Sequence, residues 1–385
     1  MIPQGYKQTE IGIIPEDWEL KKISKFATVC MCKRIFSFQT KVNGDIPFYK
    51  IGTFGKIADS YIDKELYFDY KQRYSYPEKG DVLFSAAGTL GRTVVFDGKD
   101  SYFQDSNIVW LDIDKSQISN DYLYHYYQII KWASSEGSTI LRLYNGIIYD
   151  TNVIFPKDIV EQEKIAEALS DTDDLISSLE KLIEKKKAIK QGAMQNLLTG
   201  KTRLPGFNKQ LENDYFKSFN IKIQKGQTIT KSQLKEGCFP VVAGGRKPAY
   251  YCDIYNRDGK TITISASGAS AGFVNIYSGK IFASDCSTIS ESKNYDITYI
   301  YYLLLNQQEK IYSSQTGGAQ PHIHPKDINN LKVFYTRDIK EQKAIAEILS
   351  DMDKEIEQLE QKLAKARLIK QGMMQQLLTG KIRLV

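Results

Sequence analysis

The sequence predicts an α+β protein: two globular, mixed α/β domains in tandem, each followed by one long helix. Three observations lead there. Residues 161–204 (EQEKIAEALSD to KQGAMQNLLTGKTRL) recur without a gap as residues 341–384, identical at 26 of 44 positions and displaced throughout by 180. Within each copy apolar residues follow at alternating steps of four and three, as Ile165, Leu169, Ile176, Leu179 and Ile183, and again as Ile345, Leu349, Met352, Ile356, Leu359 and Leu363. That spacing is a coiled-coil seam. Outside the copies the text changes to short β-branched and aromatic runs broken by Gly, Pro, Asn and Asp, which read as strands and turns.

In chain order, residues 1–17 form a lead (IPQGYKQTEIGIIPED) that a related LPGFNKQ at 204–210 repeats in part. The repetition places the lead near the end of the second long helix. From Trp18 to about residue 155 come strand-like runs such as IPFYKIG, GDVLFSAAG, RTVVFDG and SNIVWLDID, then a helical YLYHYYQIIKWASS segment at 122–135 that covers the sheet. Each long helix has a start in Asp158 or Asp338, followed three residues later by Glu161 or Glu341, a capping box. Each has a stop in Gly200 or Gly380, suited to the left-handed residue that closes a helix. Roughly 40 residues at about 1.5 Å each give a rod of about 60 Å. Gly192 and Gly372 fall inside the helices at a cost near 1 kcal/mol each, so a close approach of another backbone is expected there. Residues 211–337 repeat the strand grammar with weaker identity: SAAGTLG (85–91) faces SASGASAG (265–272), DSNIV (105) faces DCSTI (285) and YLYHYY (122) faces YIYYLL (299). The resulting boundaries are 1–157, 158–203, 204–337 and 338–385.

Composition narrows the class. With 42% hydrophobic and 25% charged residues the chain can bury real cores. It opens on a polar stretch and contains no run of 18 apolar residues, so neither a signal peptide nor a membrane helix is expected and the compartment is the cytoplasm. Five cysteines (Cys30, Cys32, Cys238, Cys252, Cys286) lack zinc-site spacing and read as reduced thiols. A net charge of +6 permits an anionic partner without requiring one.

No catalytic constellation stands out. Gly200-Lys201-Thr202 and Gly259-Lys260-Thr261 look like the end of a phosphate loop, but Gln195 and Ile254 occupy the positions of its first glycine. Asp285, Glu291 and Lys293 form a loose nuclease-like pattern that charge density alone produces, and His322 with His324 offers two metal ligands without a third. No cofactor is expected.

The repeated EQ-x-x-IA-x-x-L-SD and LLTGK-x-RL strings, the TEIGIIPEDW opening and the S-x-x-G and GGAQP loops resemble the specificity subunits of type I restriction-modification systems, across essentially the whole chain. The resemblance implies two target-recognition domains, each binding half of a bipartite, gapped double-stranded DNA sequence, with the long helices packed antiparallel as a spacer. It implies two methyltransferase subunits that modify adenine with S-adenosylmethionine, ATP-dependent restriction subunits that cleave, and a chain that does no chemistry itself. Half two keeps the family loop as AQPHIH, whereas half one has TILRLYN at 139–145, so the loop's role is not carried over to half one.

For reading DNA, phosphates call for Lys, Arg or turn amides, and base edges for Arg, Asn, Gln or Ser. The candidates are Lys33, Arg34, Lys50, Arg92, Arg142 and Asn145 in half one, and Arg246, Lys247, Ser267, Gln320 and His322 in half two. Any one of them is equally readable as a solvated charge or a turn residue; the set carries the expectation. Gln191, Gly192, Gln195, Gln371, Gly372 and Gln375, duplicated off the seam together with Leu198 and Leu378, mark a surface for two copies of one partner. The lysines at 181–190 read as the wet face of a helix. Two other classes stay open: a metal-dependent nuclease, which Glu291→Ala would silence, and a coiled-coil adaptor without DNA affinity.

Overall fold

The computed structural model describes residues 2–130, 132, 142–229, 235–318 and 320–385. They divide into two compact units, Met1–Ser178 with Leu363–Val385, and Leu179–Lys362. Each unit therefore holds one globular domain, one half of the first long helix and one part of the second.

Six of the strands of unit one frame its loops: β1 (Ala27–Cys30), β2 (Ile46–Tyr49), β3 (Val82–Ser85), β4 (Thr93–Val95), β5 (Tyr102–Phe103) and β6 (Ile108–Ile113). Four of them form an antiparallel sheet in the order β1-β6-β3-β4, with Cys30 opposite Trp110 and Phe84 opposite Val109. β2 pairs in parallel with β5 and antiparallel with Tyr61–Ile62. Period-two alternation sorts the sheet's side chains to two faces. Val82, Phe84, Val109 and Leu111 enter a core shared with Trp18, Leu169 and Leu378, while Leu83, Ile108 and Trp110 enter a second core with Phe48, Phe54 and Tyr67.

α1 (Asn120–Tyr126) starts where the Ser119 hydroxyl accepts the Tyr122 N–H at 3.2 Å. It is shorter than the 122–135 helix expected, because the amides of Gln128 and Ile129 bond to His125 and Tyr126, only three residues back, and the helix tightens and ends. Residues 131 and 133–135 of that expected helix lie outside the described residues. α2 (Ile159–Leu198) is the first long helix.

Unit two repeats the plan with β7 (Gln224–Lys225), β8 (Phe239–Val242), β9 (Thr261–Ser265), β10 (Val274–Tyr277), β11 (Phe282–Ala283) and β12 (Cys286–Ser290). The antiparallel order β7-β12-β9-β10 matches unit one strand for strand, and β8 again pairs in parallel with its partner β11. α3 (Ile297–Leu305) takes the place of α1, and α4 (Ile339–Leu377) is the second long helix. One face of this sheet, Ile262, Ile264 and Ile289, enters a core with Leu198, Leu303 and Leu349. The opposite face carries buried hydroxyls instead, those of Thr261, Thr263, Ser265 and Thr288.

The long helices pair antiparallel within each unit. In unit one Thr172 meets Met373, and Ile165 and Leu169 share a core with Leu377 and Leu378. In unit two Lys187 meets Glu360 at 2.6 Å and Lys190 meets Asp353 at 2.5 Å, so the partner's number falls as the lysine's rises. Of the seam residues, Leu169, Ile183, Leu349 and Ile356 are buried, and Ile176, Leu179, Leu359 and Leu363 are half-buried.

The helix ends explain the repeated strings. Asp158 and Asp338 cap as expected, each accepting an amide two residues on at 2.9 Å. Glu161 and Glu341 do not close a capping box. Both carboxylates are buried, and each is claimed by an arginine from the tail of the other helix: Arg383 donates to Glu161, and Arg203 donates to Glu341. Gln162 and Gln342, fully buried, donate to the carbonyls of Pro156 and Thr336 at 2.8 and 2.7 Å and so fasten each helix start to its own domain. Gly200 and Gly380 close the helices at φ +73° and +71°. The lead packs where its repetition placed it: Tyr6 donates to the Gly380 carbonyl at 3.1 Å, and Asp17 pairs with Arg383.

Candidate nucleic-acid interface

In each unit one cluster of loops gathers at the edge of the sheet. The first loop follows β3 or β9. Gly88 and Gly268, separated by 180, hold left-handed φ values of +68° and +80°, a turn that a Cβ would strain. Beside it runs an extended strand bridging the same loop: Ala87 pairs with Arg142 in unit one and Ser267 with His322 in unit two. The Leu143 N–H donates to Ala86 O at 2.8 Å, and the Ile323 N–H donates to Ala266 O at 2.9 Å. Half one therefore keeps the backbone geometry of the AQPHIH loop even though its side chains depart from it, and Arg142 stands where His322 stands. Residues 139–141 of TILRLYN, and Ala319, lie outside the described residues.

The loop before β6 or β12 brings an acid to each cluster. In unit one Arg34 Nε donates to Asp105 at 2.8 Å. In unit two the Ser267 hydroxyl donates to Asp285, and Gly244 packs so closely that a Cβ there would lie 2.6 Å from Ser267 O. A cleft of about 380 Å³ opens between Lys225, Thr228, Asp285, His322 and His324. The imidazoles of His322 and His324 stack nearly parallel, 6.3 Å apart.

Of the expected readers, Lys33, Arg34, Arg142, Asn145, Arg246, Lys247 and Gln320 are exposed, and Ser267 and His322 are half-buried in the unit-two cluster. Lys33 lies over the Tyr74 ring at 5.0 Å and Arg246 over Phe273 at 5.5 Å, so both cations sit on aromatic platforms. Two residues have partners that hold loops. Lys50 pairs with Asp59 at 2.8 Å, and the half-buried Arg92 donates to Phe54 O at 3.1 Å. Residue-by-residue reading left out Lys225, Thr228 and Asp105, and it singled out Asp285 only within the nuclease pattern and His324 only beside His322 as a metal-ligand pair. The DSNIV and DCSTI match held the signal for the acids, but a search for cations passes over carboxylates.

Cys32 and Cys286, beside these loops, are free and buried. Burial pushes the thiols of Cys32 and Cys286 up to about 12, far from the thiolate. The nuclease pattern does not converge: Asp285 precedes β12 and Glu291 follows it, so strand geometry separates them by roughly 20 Å. Among the described residues no group of three or more His, Cys, Asp or Glu is placed to hold a metal ion.

The duplicated patch near the helix ends is partly as expected. Gln191, Gln195, Gln371 and Gln375 are exposed. Leu198 and Leu378 are not surface residues; at 1% and 0% exposure they belong to the domain cores. Among the described residues no backbone approaches Gly192 or Gly372, where a Cβ would meet nothing within 4 Å. The open space itself, at half-buried positions between exposed glutamines, is what the two glycines share.

The family model described as type I restriction modification DNA specificity domain matches residues 15–191 and 219–367. A type I restriction enzyme specificity subunit of Haemophilus influenzae is 50% identical over 174 residues, which is 45% of each chain, so this match spans under half of that relative's length. The MjaVIII specificity subunit of Methanocaldococcus jannaschii is 25% identical over 420 residues, covering 99% of this chain and 96% of the other. In fold, the chain is similar to the crystal structure of a type I S subunit from M. genitalium, with a TM-score of 0.67 at 17% identity, over 94% of this chain and 96% of that one. A second solved chain, from work on type I complex assembly and conformational transition, gives a TM-score of 0.57 at 12% identity, over 96% and 99%.

Proposed function

Because the chain belongs to the family of type I restriction-modification DNA specificity subunits, we propose that it recognises a bipartite DNA sequence interrupted by a gap and serves as scaffold for the enzyme subunits that act there. Residues 1–157 and 204–337 are the two readers, and residues 158–203 and 338–385 form the spacer. Specificity subunits are non-catalytic; methyl transfer and cleavage belong to two methyltransferase subunits and to restriction subunits, and the work is done on DNA in the cytoplasm. Among the described residues no helix is long and apolar enough to cross a membrane.

The observation that carries this reading is the repetition of one loop cluster, Gly88 with Arg142 and Gly268 with His322, on matched backbone with unmatched side chains. Two readers of different half-sites call for that combination. The duplicated face, with exposed Gln191, Gln195, Gln371 and Gln375 beside half-buried Gly192 and Gly372, supports two equivalent partner contacts.

The test is exchange of residues 18–155 for those of another family member, followed by methylation mapping in cells carrying the whole system. One half-site changes and the other stays; a change in both, or in neither, overturns independent reading. Adding seven residues after Lys181 and after Gln361 keeps the seam and adds about 10.5 Å of helix, which corresponds to roughly three base pairs of gap. An unchanged gap in an active variant shows that the helices do not set the spacing. A coiled-coil adaptor without DNA affinity would lack the steep fall of binding with salt that phosphate contacts impose.

A further inference from the structure

We propose that Arg34, braced by Asp105, is a guanine-reading residue of the first domain and that the second domain has no equivalent; this rests on the DNA-recognition reading above. Guanine offers two adjacent acceptors in the major groove, O6 and N7, and a guanidinium satisfies both when its two terminal N–H groups point forward together. An unbraced arginine has too many rotamers to do this selectively, and a carboxylate gripping its side edge removes that freedom.

Unit one supplies that arrangement. Asp105 accepts from Nε of Arg34 at 2.8 Å, so the side edge of the guanidinium is engaged, and among the described residues neither terminal nitrogen makes a further hydrogen bond. The arginine side chain is 60% exposed while the aspartate is 16% exposed, so the brace is sunk in the protein and the donors face outward. Asp105 is itself fixed by the turn at Ser106, which holds a left-handed φ of 54°, and the Asn107 N–H donates to the Asp105 carbonyl at 2.6 Å. The pair belongs to the same cluster as the Gly88 turn: two residues on from Asp105, the Asn107 carbonyl accepts the Ala86 N–H at 2.8 Å.

Unit two keeps the acid and loses the arginine. Asp285 accepts from Ser267 instead. Counted along the paired strands, the place of Arg34 falls to Thr228, which lines one cleft with Asp285 and has no guanidinium to be braced. The same carboxylate thus braces a guanidinium in one reader and a hydroxyl in the other, and the two readers differ in the base they select at this position.

The experiment uses the full chain assembled with its methyltransferase subunits, on a duplex carrying the methylated motif mapped in cells. Each guanine of the half-site that residues 18–155 specify is replaced in turn by 7-deazaguanine, which deletes N7. At one position the replacement weakens binding by the wild type about 10- to 150-fold, the range for one charge-assisted hydrogen bond of the pair, and leaves Arg34→Ala unaffected. In cells, Arg34→Ala methylates motifs degenerate at that base pair alone, and Asp105→Asn relaxes the same position while binding keeps its salt dependence. If Arg34→Ala weakens binding equally on all sequences, including DNA without the motif, the residue is a phosphate contact and the proposal is overturned. It is overturned as well if no replaced guanine couples to Arg34, or if the half-site holds no guanine on either strand. Failure of the wild type to prefer its motif over unrelated DNA overturns the DNA-recognition reading itself, and this proposal with it.

Discussion

Leu83 and Thr263 occupy the same place in the two units, one hundred and eighty residues apart on the same central strand of the same sheet. Leu83 is buried in a core with Phe48, Phe54, Tyr67 and Trp110, whereas Thr263 is equally buried on a face of hydroxyls, where Arg257 donates to Thr288 at 3.0 Å. Behind the opposite face of each sheet, where the long helices dock, the two units agree: Leu169 and Leu349 are both fully buried, and Glu161 and Glu341 are both gripped by an arginine. Strand order has been kept throughout, and side-chain chemistry has been kept only where the domain meets the helices. The loops that gather at the sheet's far edge inherit a common backbone but different support, and different support permits different readers.

The sharpest way to break the common part is at its arginines. Arg383→Ala leaves Glu161, 2% exposed, without its partner in a buried site, and is expected to cost about 3–5 kcal/mol in denaturant unfolding. Arg203→Ala should cost a similar amount by exposing the same weakness at Glu341. A loss below about 1 kcal/mol at either site would show that the repeated arginine is not what binds each helix tail.

Core chemistry provides the next contrast. Leu83→Ala should destabilise by about 2–5 kcal/mol, a buried leucine truncated in a packed site, and Thr263→Ala by about 1 kcal/mol. Equal losses, measured by the same unfolding assay, would mean that the hydroxyl face is packed as tightly as the apolar one.

A third prediction turns on pH. His125 is buried, its Nε2 lies 3.0 Å from Ser170 Oγ, and Asp173 faces it with Lys370 beyond. The matching residue of unit two is Tyr302, which donates to Asp353 at 2.7 Å, with Lys190 again beyond. Burial pushes His125 down to about 4, with Lys370 acting in the same direction and Asp173 opposing. The unfolded chain binds this proton near pH 6.5 and the folded chain does not. Stability is therefore complete above pH 6.5 and falls as pH drops from 6.5 toward 4, by roughly 3 kcal/mol. His125→Tyr copies the other unit and should flatten that portion of the stability profile; an unchanged slope would assign it to other groups.

The smallest effect belongs to the glycines. With nothing within 4 Å, Gly192→Leu together with Gly372→Leu should leave the isolated chain as stable or more stable, by up to about 1 kcal/mol per site. Co-purification with the methyltransferase subunits should weaken, and undiminished recovery of the complex would remove this face from the partner surface.

What was legible beforehand follows the range of the interactions. The seam, Asp158, Asp338, Gly200 and Gly380 are local signals, since spacing and cap chemistry act within a few residues. The purpose of Glu161 was not legible, because its partner Arg383 lies 222 residues away and a capping box is the nearest local explanation. The interior glycines misled for the same reason: a sequence shows that a Cβ is missing but not whether anything occupies the space. Half of the loop cluster was found through its glycines and cations. The equivalence of Arg142 with His322 was missed because backbone pairing leaves no side-chain signature, and Asp105 was missed because its role depends on Arg34, 71 residues earlier.

The order in which the chain leaves the ribosome gives the helix tail another significance. Unit two is continuous in sequence, Leu179–Lys362, but unit one is not complete without Leu363–Val385. At about 5–20 residues per second, the interval between the two parts of unit one is roughly 10–40 s. Throughout it Trp18, Leu169 and the Glu161 carboxylate await the leucines and the arginine that cover them in the finished molecule. The domain begun first is sealed last, and a nascent chain halted before residue 363 carries a finished second unit beside an open first one.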